Sequence, residues 1–240
     1  MNPERPKQEA ANGLSYERAE NFNEGIALLK DKIKTCLNEK ENILVALSGK
    51  TGSGKTTLAN ELRKQMAEDK IDITVVSTDN FYLPNSNKLD LKKLQMTINK
   101  LQQGESVDNL TPAKVILVEG VQTIEDKVVG QKPNIRTYIT VPIEKRFAAR
   151  LLRDKKEFIH KLTDTKLTPE FISTVKKFEA DPSLVNVDIV INNDRKYPSE
   201  LDLFISEDSL IYSIPGDIKG AIKIEPARIK FLEQIGIQKK

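Results

Sequence analysis

The sequence predicts an α/β fold with a parallel sheet flanked by helices, and two observations carry that prediction. Five short apolar runs, at residues 43–47, 73–76, 115–118, 135–141 and 189–191, are separated by segments with helical spacing. Each of the first three runs then ends in a turn of small or acidic residues. Continuous apolar runs of this length suit strands buried on both faces. Strands that alternate with helices call for right-handed crossovers between parallel neighbours. A chain of 240 residues is long enough for one such core with extensions.

The elements follow in order. The first dozen residues are polar and predict disorder. Phe22, Ile26, Leu29, Ile33 and Leu37 recur at steps of three and four, one face of an amphipathic helix. Gly25 interrupts that helix at a cost of about 1 kcal/mol. The run at 43–47 leads into a glycine-rich loop, and a helical pattern occupies residues 57–68. The run at 73–76 ends in Ser77-Thr78-Asp79. Leu91, Leu94, Ile98 and Leu101 mark a helix that Gly104 closes. The run at 115–118 ends in Glu119-Gly120. Pro142 stops the fourth run, and Ile143, Phe147 and Leu151 begin a helix. Thr168 caps another, with Pro169 at its first position. After the fifth run the pattern alternates, through Leu201, Leu203 and Ile205 and then Leu210, Tyr212 and Ile214, which predicts a hairpin across Glu207-Asp208. Residues 229–235 suit a short helix. The expected organisation is an N-terminal extension at 1–41, a core at 42–194 and a C-terminal extension at 195–240.

Composition narrows the class. Lys and Arg total 38 and Asp and Glu total 35, a net charge of +3. That excess is too small to argue for nucleic acid or a membrane surface as partner. Cys36 is the single cysteine, which rules out an intramolecular disulfide or a cysteine-rich metal site. The first residues contain no apolar signal region, and no stretch approaches 18 apolar residues, so a cytoplasmic protein is expected. A homo-oligomer is compatible with all of this.

The glycine-rich loop carries the chemistry. Gly49, Lys50, Thr51, Gly52, Ser53, Gly54, Lys55 and Thr56 fit G-x-x-x-x-G-K-[ST], the Walker A motif or P-loop, at every required position. Glycines let successive backbone N–H groups point at phosphate oxygens. The helix that follows, through Thr57, offers its positive end to the same phosphates. Lys55 brings a charge to the β- and γ-phosphates, and Thr56 offers a hydroxyl to Mg2+. A strand before the loop and a helix after it are the context this motif needs.

Ligands in open α/β sheets sit at the carboxyl ends of the strands. Asp79 and Glu119 both fall there. Alone, each would read as a turn or cap residue; beside a P-loop, Asp79 reads as the base for an acceptor hydroxyl and Glu119 as the metal-side acid, direct or through water. Arg146, Arg150 and Arg153 share one helical face. They read either as a solvated face or as a clamp on a transferring phosphoryl group.

With these residues in place, the chain resembles the uridine kinase and phosphoribulokinase family of P-loop kinases. The features that match in order are the P-loop, the strand ending in Asp79 with Phe81-Tyr82 after it, the Val118-Glu119-Gly120 turn, and Arg146, Arg150, Arg153 and Asp154. A weaker match runs from Phe178 to Asn192-Asn193-Asp194. The resemblance covers residues 42–194. It implies a five-stranded parallel sheet, ATP with Mg2+, and transfer of the γ-phosphoryl group to an alcohol on a small molecule. It further implies Asp79 as the activating base and Arg150 and Arg153 as lid residues. The chain departs from the family between residues 83 and 114, where the stretch that would hold a nucleoside is short and contains none of the expected Asn-Phe-Asp-His-Pro type motif. The arginines expected just after Asp154 are also missing, and His160, the only histidine, reads as a surface residue.

Three readings follow. The first is a small-molecule kinase. The second is a P-loop ATPase or nucleotide-dependent switch with no small acceptor; a GTPase is disfavoured because Asn192-Asn193-Asp194 lacks the lysine of the guanine motif. The third is a binding protein on a kinase fold, with the helix near residues 22–37 and the C-terminal tail as its surfaces.

Overall fold

Burial decides which segments become strands. Every residue of β3 (Ile43–Gly49) and of β5 (Val115–Gly120) is buried, so neither strand has a solvent face. In a computed structural model of the chain, the described residues are 8–9, 15–84, 86, 88–142, 146, 186–193, 202–206, 209–214, 218–223, 229 and 233. They divide into two units, one of Met1–Thr140 with Asp181–Asp194, the other of Val141–Ala180 with Arg195–Lys240.

In the first unit six parallel strands lie in the order β2 (Ser15–Ala19), β7 (Ile189–Asn192), β6 (Ile135–Thr140), β3, β5 and β4 (Ile73–Ser77). The two-residue β1 (Gln8–Glu9) pairs antiparallel with β2 at the edge. The five apolar runs are therefore five of these strands. The sixth, β2, was not expected, and neither was β1 in the segment read as disordered. Ser-Tyr-Glu-Arg-Ala carries no apolar run because it lies near the edge of the sheet, where its backbone pairing with β7 matters more than burial.

Helices cover the sheet. α1 (Phe22–Glu39) buries Phe22, Ile26, Leu29 and Ile33 against β7, β2 and β3. Asn21 caps it by accepting from the Glu24 N–H at 2.9 Å. α2 (Lys55–Glu68) packs Leu58, Leu62 and Met66 over β3, β4 and β5. α3 (Leu91–Gln102) and the short α4 (Asp126–Val129) share a core with Leu44, Val76, Ile116 and Val118. α4 has only one turn, too short for its spacing to register in the sequence.

The strand order creates the site. The chain leaves β3 towards β4 and β5 on one side, then crosses from β5 to β6 on the other. In sheets of this kind a ligand sits where connections diverge in this way, which here is the carboxyl end of β3. In the second unit β8 (Asp202–Ser206), β9 (Ser209–Ile214) and β10 (Ile218–Lys223) form an antiparallel sheet. The hairpin expected across residues 207–208 is β8 with β9, and β10 adds a strand. Ile229 and Glu233 are helical, while the helices expected around residues 147–151 and 168 lie outside the described residues. Among the described residues no helix is long and apolar enough to cross a membrane.

Candidate active site

The loop between β3 and α2 curls around its own lysine. Lys55 Nζ donates to the carbonyls of Gly49 at 2.9 Å and Lys50 at 3.3 Å. The Ser53 N–H donates back to Lys50 O at 3.1 Å and closes the turn. Lys50, Thr51 and Gly52 form the half-buried outer part of the loop, Ser53 is buried, and Thr57 is exposed on the first turn of α2. Gly54 caps α2 in the left-handed region, φ 91° and ψ 19°, and supplies no side chain to the helix end. The buried Ser53 hydroxyl has no hydrogen-bond partner. An uncapped helix start beside an unsatisfied buried donor is suited to an anion, and a phosphate chain fits both demands.

Register assembles the acid. Leu47, Glu119 and Ser77 lie side by side across β3, β5 and β4. Alternation along the strands points all three to the same face of the sheet, the face α2 covers. Glu119, 4% exposed, accepts from Thr56 Oγ1 at 3.1 Å and from Ser77 Oγ at 2.8 Å, both on Oε1. One carboxylate with neighbouring hydroxyls fits magnesium, which keeps several waters and takes few protein ligands. Among the described residues no group of three or more His, Cys, Asp or Glu gathers to hold a metal unaided.

Asp79 lies one step further along. β4 ends at Ser77, and a single 3-10 turn (Thr78–Phe81) presents Asp79 to solvent. That turn is held from below: Thr78 is buried against Gly120, where a Cβ would fall 2.1 Å from Thr78 Oγ1. Glu119 and Gly120 thus act as a pair, one turned to Thr56 and Ser77 and one making room for the turn that carries Asp79. Tyr82, 42% exposed, follows the turn and bridges to Leu89. Partial burial raises the pKa of its phenol, and the nearby Asp79 carboxylate raises it further. The far rim is tied to β3, with Ser48 Oγ donating to Val121 O at 2.6 Å and Thr123 Oγ1 donating to Leu47 O at 2.9 Å.

Of the residues expected from the sequence, Lys55, Thr56, Glu119 and the loop glycines come together, with Asp79 on the neighbouring strand end. Arg150 and Arg153 lie outside the described residues. Arg146, read with them as a basic stripe, is 1% exposed and donates from Nε to Val141 O at 3.1 Å, so it is not part of a solvent-facing stripe. Two residues were missed. Ser77 stood in the quoted Ser77-Thr78-Asp79 segment, but only strand register brings it to Glu119. Asn193 stood in the loop after β7, and its side-chain amide reaches Ser53 O at 2.8 Å, 140 residues away in sequence.

Residues 43–125, which include the P-loop, Asp79 and Glu119, match the family described as chromatin associated protein KTI12. A uridine kinase of Clostridium novyi (strain NT) is 23% identical over 205 residues, covering 71% of this chain and 97% of that protein. A uridine kinase of Mannheimia succiniciproducens is 28% identical over 150 residues, covering 48% of this chain and 68% of its own length. Among solved structures, a kinase ascribed to a fructose transport system in Silicibacter sp. TM1040 superposes with a TM-score of 0.51 at 19% identity, over 69% of this chain and 98% of the other. That likeness shows the fold. The sequence relatives show the resemblance to the uridine kinase and phosphoribulokinase family of P-loop kinases that the motifs carry.

Proposed function

We propose that this protein is a P-loop kinase that uses ATP and Mg2+ to phosphorylate an alcohol group on a small molecule. The observation that carries the reading is the convergence on Glu119: the P-loop hydroxyl of Thr56 and the β4 hydroxyl of Ser77 meet one carboxylate oxygen, and Asp79 follows Ser77 by two residues. Donor-side and acceptor-side groups thereby share one rigid strand end.

Each residue then has a task. The loop amides from Gly49 to Thr57 cradle the phosphate chain, and Lys55 follows the charge of the group in transfer. Bound magnesium would neutralise charge on the β- and γ-phosphate oxygens; Thr56 and Glu119 would hold it, directly or through water. Asp79 accepts the proton of the acceptor hydroxyl as the hydroxyl oxygen bonds to the γ-phosphorus and the bond from that phosphorus to the β–γ bridging oxygen breaks, with ADP as the leaving group. Arg150 and Arg153 are the proposed lid residues. The core would span residues 42–194, with extensions on either side, and the site of action would be the cytoplasm, where ATP is available.

A screen with γ-labelled ATP over nucleosides, sugar phosphates and other hydroxyl compounds tests this, with Asp79→Asn in parallel. Label should reach one compound class. In the variant, transfer should fall by roughly 10²-fold or more while ATP affinity stays within about two-fold. Normal transfer by the variant removes Asp79 from the role of base.

One observation favours a second reading. The middle of the segment between Tyr82 and Lys114 is α3, whose Leu94, Ile98 and Leu101 are buried in the core. That helix serves the core, so only the stretches on either side of it could enclose an acceptor. If label passes only to water, at the same rate in Asp79→Asn, the protein is an ATPase or switch.

A further inference from the structure

We propose that Asn193 is a positioning residue that sets the orientation of the Ser53–Gly54 peptide in the phosphate-binding loop. The inference rests on the nucleotide site proposed above and adds a residue on the far side of the sheet centre to it.

Three observations meet at this side chain. Asn193 is buried, and its Nδ2 donates to Ser53 O at 2.8 Å. A carbonyl only accepts, so the amide nitrogen must be the atom that faces it. The Asn193 backbone is itself pinned, because its N–H donates to Thr140 O at 3.0 Å at the end of β6. The third observation is steric: a Cβ on Gly54 would fall 2.7 Å from Asn193 Nδ2. Gly54 therefore meets two requirements, a φ of 91° and the approach of this amide.

The consequence lies in the geometry of one peptide unit. The Ser53 carbonyl and the Gly54 N–H belong to the same trans peptide and point in opposite directions. Holding the carbonyl on Asn193 turns the Gly54 N–H to the opposite side of the loop, available to a phosphate oxygen. Without that bond the peptide is free to rotate, and the buried Ser53 carbonyl loses its partner. Preorganised donors bind charge more strongly than donors that must first reorient. The end of β7 thus takes part in phosphate binding without touching the ligand.

The test compares Asn193→Leu, which keeps the branched shape and removes the donor, with Asn193→Ala, which serves if the bulkier leucine fails to fold. Calorimetry measures binding of Mg-ADP and of tripolyphosphate to the full chain. Both ligands should lose affinity by the same factor, about ten-fold, while thermal unfolding of the unliganded protein, lowered by the loss of one buried hydrogen bond, stays cooperative and complete only well above the temperature of the binding measurement. Unchanged ADP affinity overturns the inference. So does a loss confined to ADP with tripolyphosphate unaffected, because Asn193 would then act on the nucleoside. If the unsubstituted chain binds neither ligand, the nucleotide-site reading falls and takes this inference with it.

Discussion

Both hydroxyls that reach Glu119 place their hydrogen bonds on Oε1, so the other oxygen of the carboxylate faces no protein donor among these contacts. Ser77 and Thr56 orient the group, and under the proposed function Oε2 would take the water or metal. Ser77→Ala should therefore raise the magnesium concentration for half-maximal activity by roughly ten-fold, as loss of an outer hydrogen bond does at other metal sites, with little change in nucleotide affinity measured without metal. An unchanged magnesium titration would show that Thr56 alone suffices. Lys55→Met should cost on the order of 10²-fold or more in transfer rate, measured with the acceptor the screen identifies. At this scale the placement of residues was legible wherever a local motif fixes it, as at residues 49–56. It was legible at Asp79 and Glu119 because a strand end followed by an acid is a local pattern. Ser77 and Asn193 were not, since their partners lie 42 and 140 residues away and only strand order brings them together.

α1 illustrates what the periodic signal carries and what it leaves out. Of the expected stripe, Phe22, Ile26, Leu29 and Ile33 form the buried face, Leu37 is only half-buried near the helix end, and Leu28 joins it. The spacing said nothing of why a glycine interrupts it. A Cβ at Gly25 would lie 2.5 Å from Ile191 Cγ2, and Ile191 is fully buried on β7, so the helix sits against the strand at that point. Gly25→Ala gains about 1 kcal/mol of helix propensity but pays for overpacking at roughly 1–3 kcal/mol. Net destabilisation of about 1 kcal/mol is expected in urea unfolding, and Ile191→Val in the same chain should recover part of it. α1 is also tied to α2 by Lys34 and Lys30, whose Nζ atoms lie 2.9 and 3.3 Å from Asp69. The hydrogen bond from Lys34, then that from Lys30, holds the Asp69 pKa below the ordinary carboxylate value. A lowered carboxylate pKa stabilises the fold above the unfolded value and loses that effect as pH falls through the folded one. Asp69→Asn should thus lower the melting temperature slightly at neutral pH, and the difference should shrink as pH falls below the ordinary carboxylate value of about 3.9 and the folded carboxylate takes up its proton. The effect is small because the pair is solvent-screened.

For the molecule as a whole, the question is whether residues 1–41 are an appendage or part of the core. Sequence reading set them apart as an extension because the P-loop pattern begins at Ile43, and a pattern-based boundary falls where the recognisable motif starts. In the structure β2 pairs with β7 and α1 covers β7, β2 and β3, so both belong to the unit that holds the P-loop. Removing them would strip Phe22, Ile26, Leu29 and Ile33, each at most 2% exposed, from the sheet they cover. At about 1.5–3 kcal/mol for each buried side chain, the loss comes to roughly 6–12 kcal/mol. Domains of this kind are stable by only about 5–15 kcal/mol, so the loss is of the same size as the whole. The truncated chain, residues 42–240, should lack a cooperative thermal transition and should not bind Mg-ADP. If it melts cooperatively and binds Mg-ADP as the full chain does, α1 is separable from the core, and its apolar face becomes a docking surface for a partner, as the binding-protein reading requires.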